Sequence, residues 1–331
     1  MSDVTSEALP RQRIAYLLPV FNEMETLDVF HATLTAAVAP LEATYDLEFI
    51  YVDDGSRDES LGMLLALHRH DPRVSVIGLS RNFGHQKAVT AALDAVTADA
   101  AIIMDTDLQD PPAVSLELVE AWEKGADVVY AQRRSRNDTA FKRWSADAFY
   151  RLLTRLGSID IPRNTGDFRL LDRKVVEELR RYREHNRFLR GLVSYVGFRQ
   201  EAIPFDRDAR YAGTSGYPLS KMIRFAGDGI FGFSTAPLVL ISRIGFLFSA
   251  LSLIGIGYVF FVRFFMPDQA VPGWAFITIA MFLIGGIQIT MLGILGSYLG
   301  RVYVEVQGRP LYTISLRAGA VSAESRSAFR V

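Results

Sequence analysis

The chain has 331 residues, and its 36 Lys and Arg stand against 37 Asp and Glu, for a formal net charge of −1. That balance gives no basic footprint, so nucleic acid is not expected as a partner. With no cysteine anywhere, disulfide frameworks and thiolate metal sites are excluded.

The first eleven residues read as a flexible tail, and with no apolar h-region among them no secretory signal peptide is expected. Apolar runs then follow at 14–19, 47–53, 73–79, 100–104 and 126–131, which read as strands. Between them lie helical patterns near 25–39, 58–70, 85–96 and 113–124. Strand–helix alternation specifies an α/β fold with a mostly parallel sheet and helices on both faces. Such sheets take their ligands beyond the carboxyl ends of the strands.

Polar groups stand at each of those ends. They are PVFNE (19–23), VDDGS (52–56), SRNFGHQKA (80–88), DTDLQD (105–110) and AQRRSR (131–136). The first strand is not followed by Gly-x-Gly-x-x-Gly, and the chain has no Gly-Lys-Ser/Thr P-loop, so neither phosphate-binding motif is supported. Asp105 and Asp107 alternate along extended chain and can face one point. Crowded carboxylates with few nitrogens nearby suit Mg²⁺ or Mn²⁺, a reading favoured here over a solvated turn because the pair ends a strand. Asp110, just before Pro111 and Pro112, fits the N-cap of the next helix.

Further along, FKRWSADAFYRLLTRL (141–156) and LSKMIRFAGDGIFGF (219–233) both carry an apolar stripe at helical spacing. The second adjoins the membrane-like region, and residues 213–236 are read as amphipathic interface helices. The first fits packing against the sheet equally well. Residues 244–262 and 269–300 carry no charge, and each is long enough to span a bilayer. They are assigned as two transmembrane helices within 237–303, followed by a C-terminal tail, 304–331. Lys221, Arg224, Arg243, Arg301, Arg309 and Arg317 flank the pair, whereas the turn between the spans carries only Arg263 and Asp268. The positive-inside rule therefore places the N-terminal domain and both termini in the cytoplasm, on a multi-pass inner-membrane protein. Small residues in the second span, Gly285, Gly286, Gly293 and Gly296, suit close helix packing and a homo-oligomer.

Taken in order and at these spacings, PVFNE, VDDGS, RNFGHQKA, DTDLQDPP and NTGDFRLLDR resemble family 2 glycosyltransferases. Within that family the chain is most similar to the polyprenyl-phosphate group, which includes bactoprenol glucosyltransferases and dolichol-phosphate mannosyltransferases. The resemblance covers about residues 12–310. It implies a GT-A-like (Rossmann-like) domain over 12–212. It implies transfer of a hexose, glucose first, from a UDP-sugar to polyprenyl phosphate, with inversion. The alternatives are a GDP-mannose-dependent enzyme and a non-catalytic membrane scaffold. The resemblance puts Phe21 on the base with Pro19 lining the pocket, Asp54 as a base acceptor and Glu23 toward ribose or base. It gives Asp105 and Asp107 to the metal on the donor diphosphate, with Gln109 as third or near ligand. Asp167 matches the family's candidate catalytic carboxylate. Arg133, Arg143, Arg169 and Arg207 are candidates for the lipid phosphate, Arg169 foremost. The chain departs from the family at Ser215-Gly216, where a Ser-Lys pair is common. The spans are expected to serve as an anchor, so that a fragment ending near residue 236 should still bind UDP.

Overall fold

The computed structural model describes residues 11–134, 165–206 and 273–320, with isolated positions at 241, 243–245, 247, 250, 254 and 265. The chain divides into two compact units, one built on the sheet and one containing the apolar helix near the C-terminus.

The five expected strands form within one or two residues of their apolar runs: β1 (Arg13–Val20), β2 (Asp46–Asp53), β3 (Val74–Leu79), β4 (Ala100–Ile103) and β5 (Val128–Arg133). Continuous burial, as in β3, where all six residues are buried, is what a strand covered on both faces requires. The covering helices are α1 (Leu27–Val38), α2 (Ser60–His70), α3 (His85–Ala95), α4 (Val114–Glu123), α5 (Arg173–Arg181) and α6 (Leu189–Tyr195). Two cores result. One gathers Leu27, Phe30 and Leu34 of α1 with Leu64 and Leu118 under one sheet face. The other gathers Val89 and Leu93 of α3 with Val175, Leu179 and Leu192 under the opposite face.

The sheet has eight strands in the order β7-β5-β6-β4-β1-β2-β3-β8 and is mixed. Strands β1, β2, β3 and β4 pair in parallel, but β5 does not join β4 directly. Between them lies β6 (Thr165–Asp172), antiparallel to both. β7 (Gln200–Phe205) closes one edge, parallel to β5, and its Pro204 sits on an edge strand, where proline is tolerated.

The other edge corrects the reading of 304–331 as a tail. β8 (Ile314–Ala318) pairs antiparallel with β3, matching Val76 to Ala318 and Leu79 to Ile314. It is pinned by Tyr312 Oη donating to Asp94 Oδ2 at 2.7 Å, by Ser80 N donating to Thr313 O at 2.9 Å and by Ser315 Oγ donating to Gly78 O at 3.0 Å.

In the second unit, α7 (Trp274–Val306) runs for 33 residues, about 50 Å at the helical rise. Its stretch Leu283–Val306 is the one helix among the described residues long and apolar enough to cross a membrane, and none of that stretch is buried in protein. Large apolar side chains such as Met281, Ile289, Leu292, Leu295 and Leu299 are exposed. The first expected span, the stripe at 141–156 and the interface segment 213–236 lie wholly or mostly outside the described residues, so a two-helix hairpin is not established.

Candidate active site

A cleft of about 240 Å³ opens at the carboxyl ends of β1, β2 and β4, where the sequence had gathered its polar segments. Its walls include Pro19, Phe21, Glu23, Asp54, Asn82, His85, Asp105 and Asp107. Phe21 is 41% exposed, which leaves a ring available to stack on a flat ligand. The loop that carries it is stitched to the next one. Asn22 N donates to Ser56 Oγ at 3.0 Å, Arg57 N donates to Asn22 Oδ1 at 2.9 Å, and Glu23 N donates to Ser60 Oγ at 2.9 Å. Asn22 sits at φ 54°, a left-handed conformation that Asn tolerates better than most residues.

Asp54 is almost fully buried. Its Oδ1 accepts from Phe83 N at 2.7 Å and its Oδ2 from Gly84 N at 2.9 Å. Burial raises its pKa against the lowering effect of these two amides. The carboxylate is thus first a clamp that holds the 80–84 loop against the 53–56 turn, and only its remaining lone pairs are open to a ligand. Gly55 completes the clamp. It has φ +68°, and a Cβ there would lie 2.3 Å from the backbone carbon of Arg81. Gly55→Ala is therefore expected to cost about 1–3 kcal/mol from the left-handed backbone alone, with the clash adding to it. The melting temperature checks this, and an unchanged value would show that the loops part without cost.

Beyond β4 the chain turns through Leu108, a non-glycine residue at φ 57°. Asp107 Oδ1 accepts from Gln109 N at 3.1 Å. Asp105 is pushed up to about 6, chiefly by burial, with Asp167, Asp110 and Asp107 adding repulsion and His85 opposing it. Among the described residues no three His, Cys, Asp or Glu side chains gather as a self-sufficient metal cage. The donor set nevertheless fits a divalent ion that is completed by a phosphorylated ligand. Asp105 and Asp107 both line the cleft, and Gln109 Oε1 is buried with no hydrogen-bond partner among the described residues.

Asp110 is not an N-cap. α4 begins three residues later than the proline rule implies, with Ala113 at its cap and no side-chain cap bond. The Asp110 carboxylate is instead buried 3.9 Å from Arg133 Nη2.

Asp167, near the start of β6, is the hub of the other wall. It is 5% exposed. Its Oδ1 accepts from Arg190 Nε at 2.8 Å, and its Oδ2 lies 3.2 Å from His85 Nε2 and 3.4 Å from Gln86 Nε2. Burial alone would raise its pKa, but His85 and Arg190 outweigh that and hold it well below the usual carboxylate range. His85 also lies 3.6 Å from Asp105 Oδ1. Burial opposes its charge, yet Asp167 and Asp105 together raise its pKa. The imidazole therefore bridges the two carboxylates that the sequence treated separately.

The four candidate arginines fall in different surroundings. Arg169 shares a sheet face with Asp167 and sits two residues further along the strand, about 7 Å from it. It is 4% exposed, donates to Gly166 O at 2.9 Å, and is lowered to about 10 by burial. In this structure it supports the wall beneath Asp167. Arg133 lies nearer the surface, its side chain 21% exposed beside Asp110. Arg143 and Arg207 lie outside the described residues. Sequence reasoning passed over His85 and Gln86, although both lie in a quoted strand-end segment, and it missed Arg190 altogether.

The family model for glycosyl transferase family 2 matches residues 16–180. An uncharacterized glycosyltransferase, YkcC, of Bacillus subtilis strain 168 is 43% identical over 304 residues, covering 92% of this chain and 93% of that protein. The bactoprenol glucosyl transferase of Shigella phage SfX is 36% identical over 308 residues, covering 92% and 99%. A prophage bactoprenol glucosyl transferase homolog of Escherichia coli K12 is 37% identical over 305 residues, covering 91% and 98%.

Proposed function

This chain belongs to glycosyltransferase family 2, and on that premise we propose that it moves a hexose, glucose first, from a UDP-sugar to polyprenyl phosphate at the cytoplasmic face of a membrane. The observation that carries the reading is the meeting of two walls at one sheet edge. Phe21, Asp105 and Asp107 line the cleft, and Asp167, His85 and Arg190 stand against it. Relatives named for transfer to bactoprenol, similar over more than nine-tenths of the chain, support the lipid acceptor.

Phe21 would stack on the base, Glu23 would reach the ribose or base, and Asp54 would fix the loop that closes over them. Asp105 and Asp107, with Gln109 beside them, would hold Mg²⁺ or Mn²⁺, which neutralises charge on a leaving diphosphate when bound. The acceptor asks little of a base. A phosphate monoester has its second pKa near ~6 and is substantially dianionic at neutral pH. It needs positioning and charge neutralisation. Asp167, which accepts from Arg190 Nε at 2.8 Å and lies 3.2 Å from His85 Nε2, would orient both. It keeps Arg190 and His85 in place, and Arg190, with its side chain 30% exposed, and Arg133, 21% exposed beside Asp110, are candidate cations for the phosphate. Inversion follows from direct in-line attack by the phosphate. α7 and a second span within 237–273 would anchor the enzyme, as a multi-pass protein, beside its lipid substrate.

Incubating the purified protein with radiolabelled UDP-sugars, Mg²⁺ and polyprenyl phosphate should give an organic-extractable labelled product. UDP should displace the donor better than GDP. Label entering lipid only from GDP-mannose, with GDP the better competitor, would overturn the uridine assignment.

A further inference from the structure

We infer that Gln86 is a positioning residue, one that fixes where α6 begins and thereby sets the Asp167–Arg190 pair. The role it gives to that pair in transfer rests on the proposed function.

The first N–H groups of a helix have no partner within the helix and need one from outside. α6 starts after Phe188, which supplies no side-chain cap. The partner comes from 103 residues away, where Gln86 Oε1 accepts from Leu189 N at 3.0 Å. Leu189 is the first residue of α6, and the next, Arg190, places its Nε 2.8 Å from Asp167 Oδ1. The other end of the same amide, Gln86 Nε2, lies 3.4 Å from Asp167 Oδ2. One side chain therefore touches both the helix that delivers the arginine and the carboxylate that receives it.

Gln86 is itself held firmly. It is the second residue of α3, which begins after Gly84 at φ +100°, the loop that Asp54 clamps, and its carbonyl accepts from Thr90 Oγ1 at 2.7 Å. The geometry needs an acceptor and a donor on one planar head. Leucine offers neither, and glutamate offers the acceptor while setting a second negative charge against Asp167. Gln86 lies outside the residues that line the nucleotide cleft. Its loss should therefore leave UDP affinity unchanged and act on turnover and on the acceptor KM.

The test is a double-mutant cycle in the full chain, with Gln86→Leu, Arg190→Ala and the pair. UDP affinity by calorimetry should stay within about twofold of wild type in all three. Turnover with polyprenyl phosphate should fall about 10- to 100-fold in Gln86→Leu, the scale of a misplaced reacting group. The double variant should lose no more than Arg190→Ala alone, to within about twofold. Effects that multiply, or wild-type turnover in Gln86→Leu, would overturn the positioning role. The same cycle read in melting temperature of the nucleotide-free protein needs no transfer reaction. Coupled melting temperatures would support the positioning role even if the wild type transferred no sugar, which would count against the proposed function alone. Additive melting temperatures would overturn it. A folded Gln86→Leu that fails to bind UDP would overturn the role; should Gln86→Leu show no melting transition, Gln86→Glu, which keeps the oxygen that caps Leu189, takes its place in the cycle.

Discussion

Asp107→Asn should abolish turnover, by at least about 10²–10³-fold, while leaving the protein as stable as before or slightly more so. The asparagine keeps the side-chain oxygen that accepts from Gln109 N, so the turn after β4 retains its local bond. What disappears is a negative charge that stands beside Asp105 and contributes to the rise of its pKa. Toward Asp105 that charge is repulsive in the metal-free protein, and its loss relieves that neighbour. Stability and activity are therefore predicted to move in opposite directions, the signature of a group kept for its ligand and not for the fold. Melting curves supply a readout apart from catalysis. Mn²⁺ with UDP should raise the wild-type melting temperature by mass action, and the variant should show little of that gain. EDTA should reduce wild-type turnover to the level of the variant. Normal activity of Asp107→Asn across a Mg²⁺ titration would remove Asp107 from the metal site.

The parallel half of the sheet was legible because its strands are buried on both faces and read as unbroken apolar runs between turn signals. The strands that were missed carry their function in the pattern. β6 interleaves Asp167, Arg169 and Asp172 with Phe168, Leu170 and Leu171, so charges needed at the site interrupt the apolar signal. β7 contains a proline and lies on an edge, and β8 follows an apolar helix and looks like the start of a tail. The site shows the same division. Strand-end motifs brought Phe21, Asp105 and Asp107 to one edge, since topology brings strand ends together, whereas Asp167 was named by the resemblance alone. Which groups touch is decided by pairs 82 to 103 residues apart, such as His85 with Asp167 and Gln86 with Leu189, and no local spacing encodes them. The burial of Arg169 becomes visible only once β6 is a strand. Period-2 alternation puts it on the face of Asp167, two positions further along the strand.

β8 reverses the expected outcome of truncation. A chain ending near residue 236 loses the whole of β8, and β3, whose six residues are all buried, becomes a bare sheet edge. Exposed apolar edges invite association. The damage should also reach the site, because β3 leads directly into the 80–84 loop. Ser80 N donates to Thr313 O just before that loop, while Asp54 holds it at Phe83 and Gly84 and it delivers His85 and Gln86. Tyr312 adds its bond to Asp94 on α3, and Leu311 is buried. The fragment is therefore expected to aggregate or to bind UDP poorly, and deleting 310–331 alone from the full chain should have the same effect with α7 intact. Replacing 237–309 by a Gly/Ser linker of about 30 residues, whose reach is about 30 Å, while keeping 310–331, should restore a soluble protein that binds UDP. Transfer to a short, water-soluble acceptor should persist in that protein, and transfer to long-chain lipid should fall, since the anchor supplies effective concentration at the membrane. Normal UDP binding by the fragment ending at 236, measured by calorimetry on monodisperse protein, would show that β8 only decorates the sheet. Failure of the linker protein to bind UDP would show that the segment between 237 and 309 contributes to the catalytic fold and does more than anchor it.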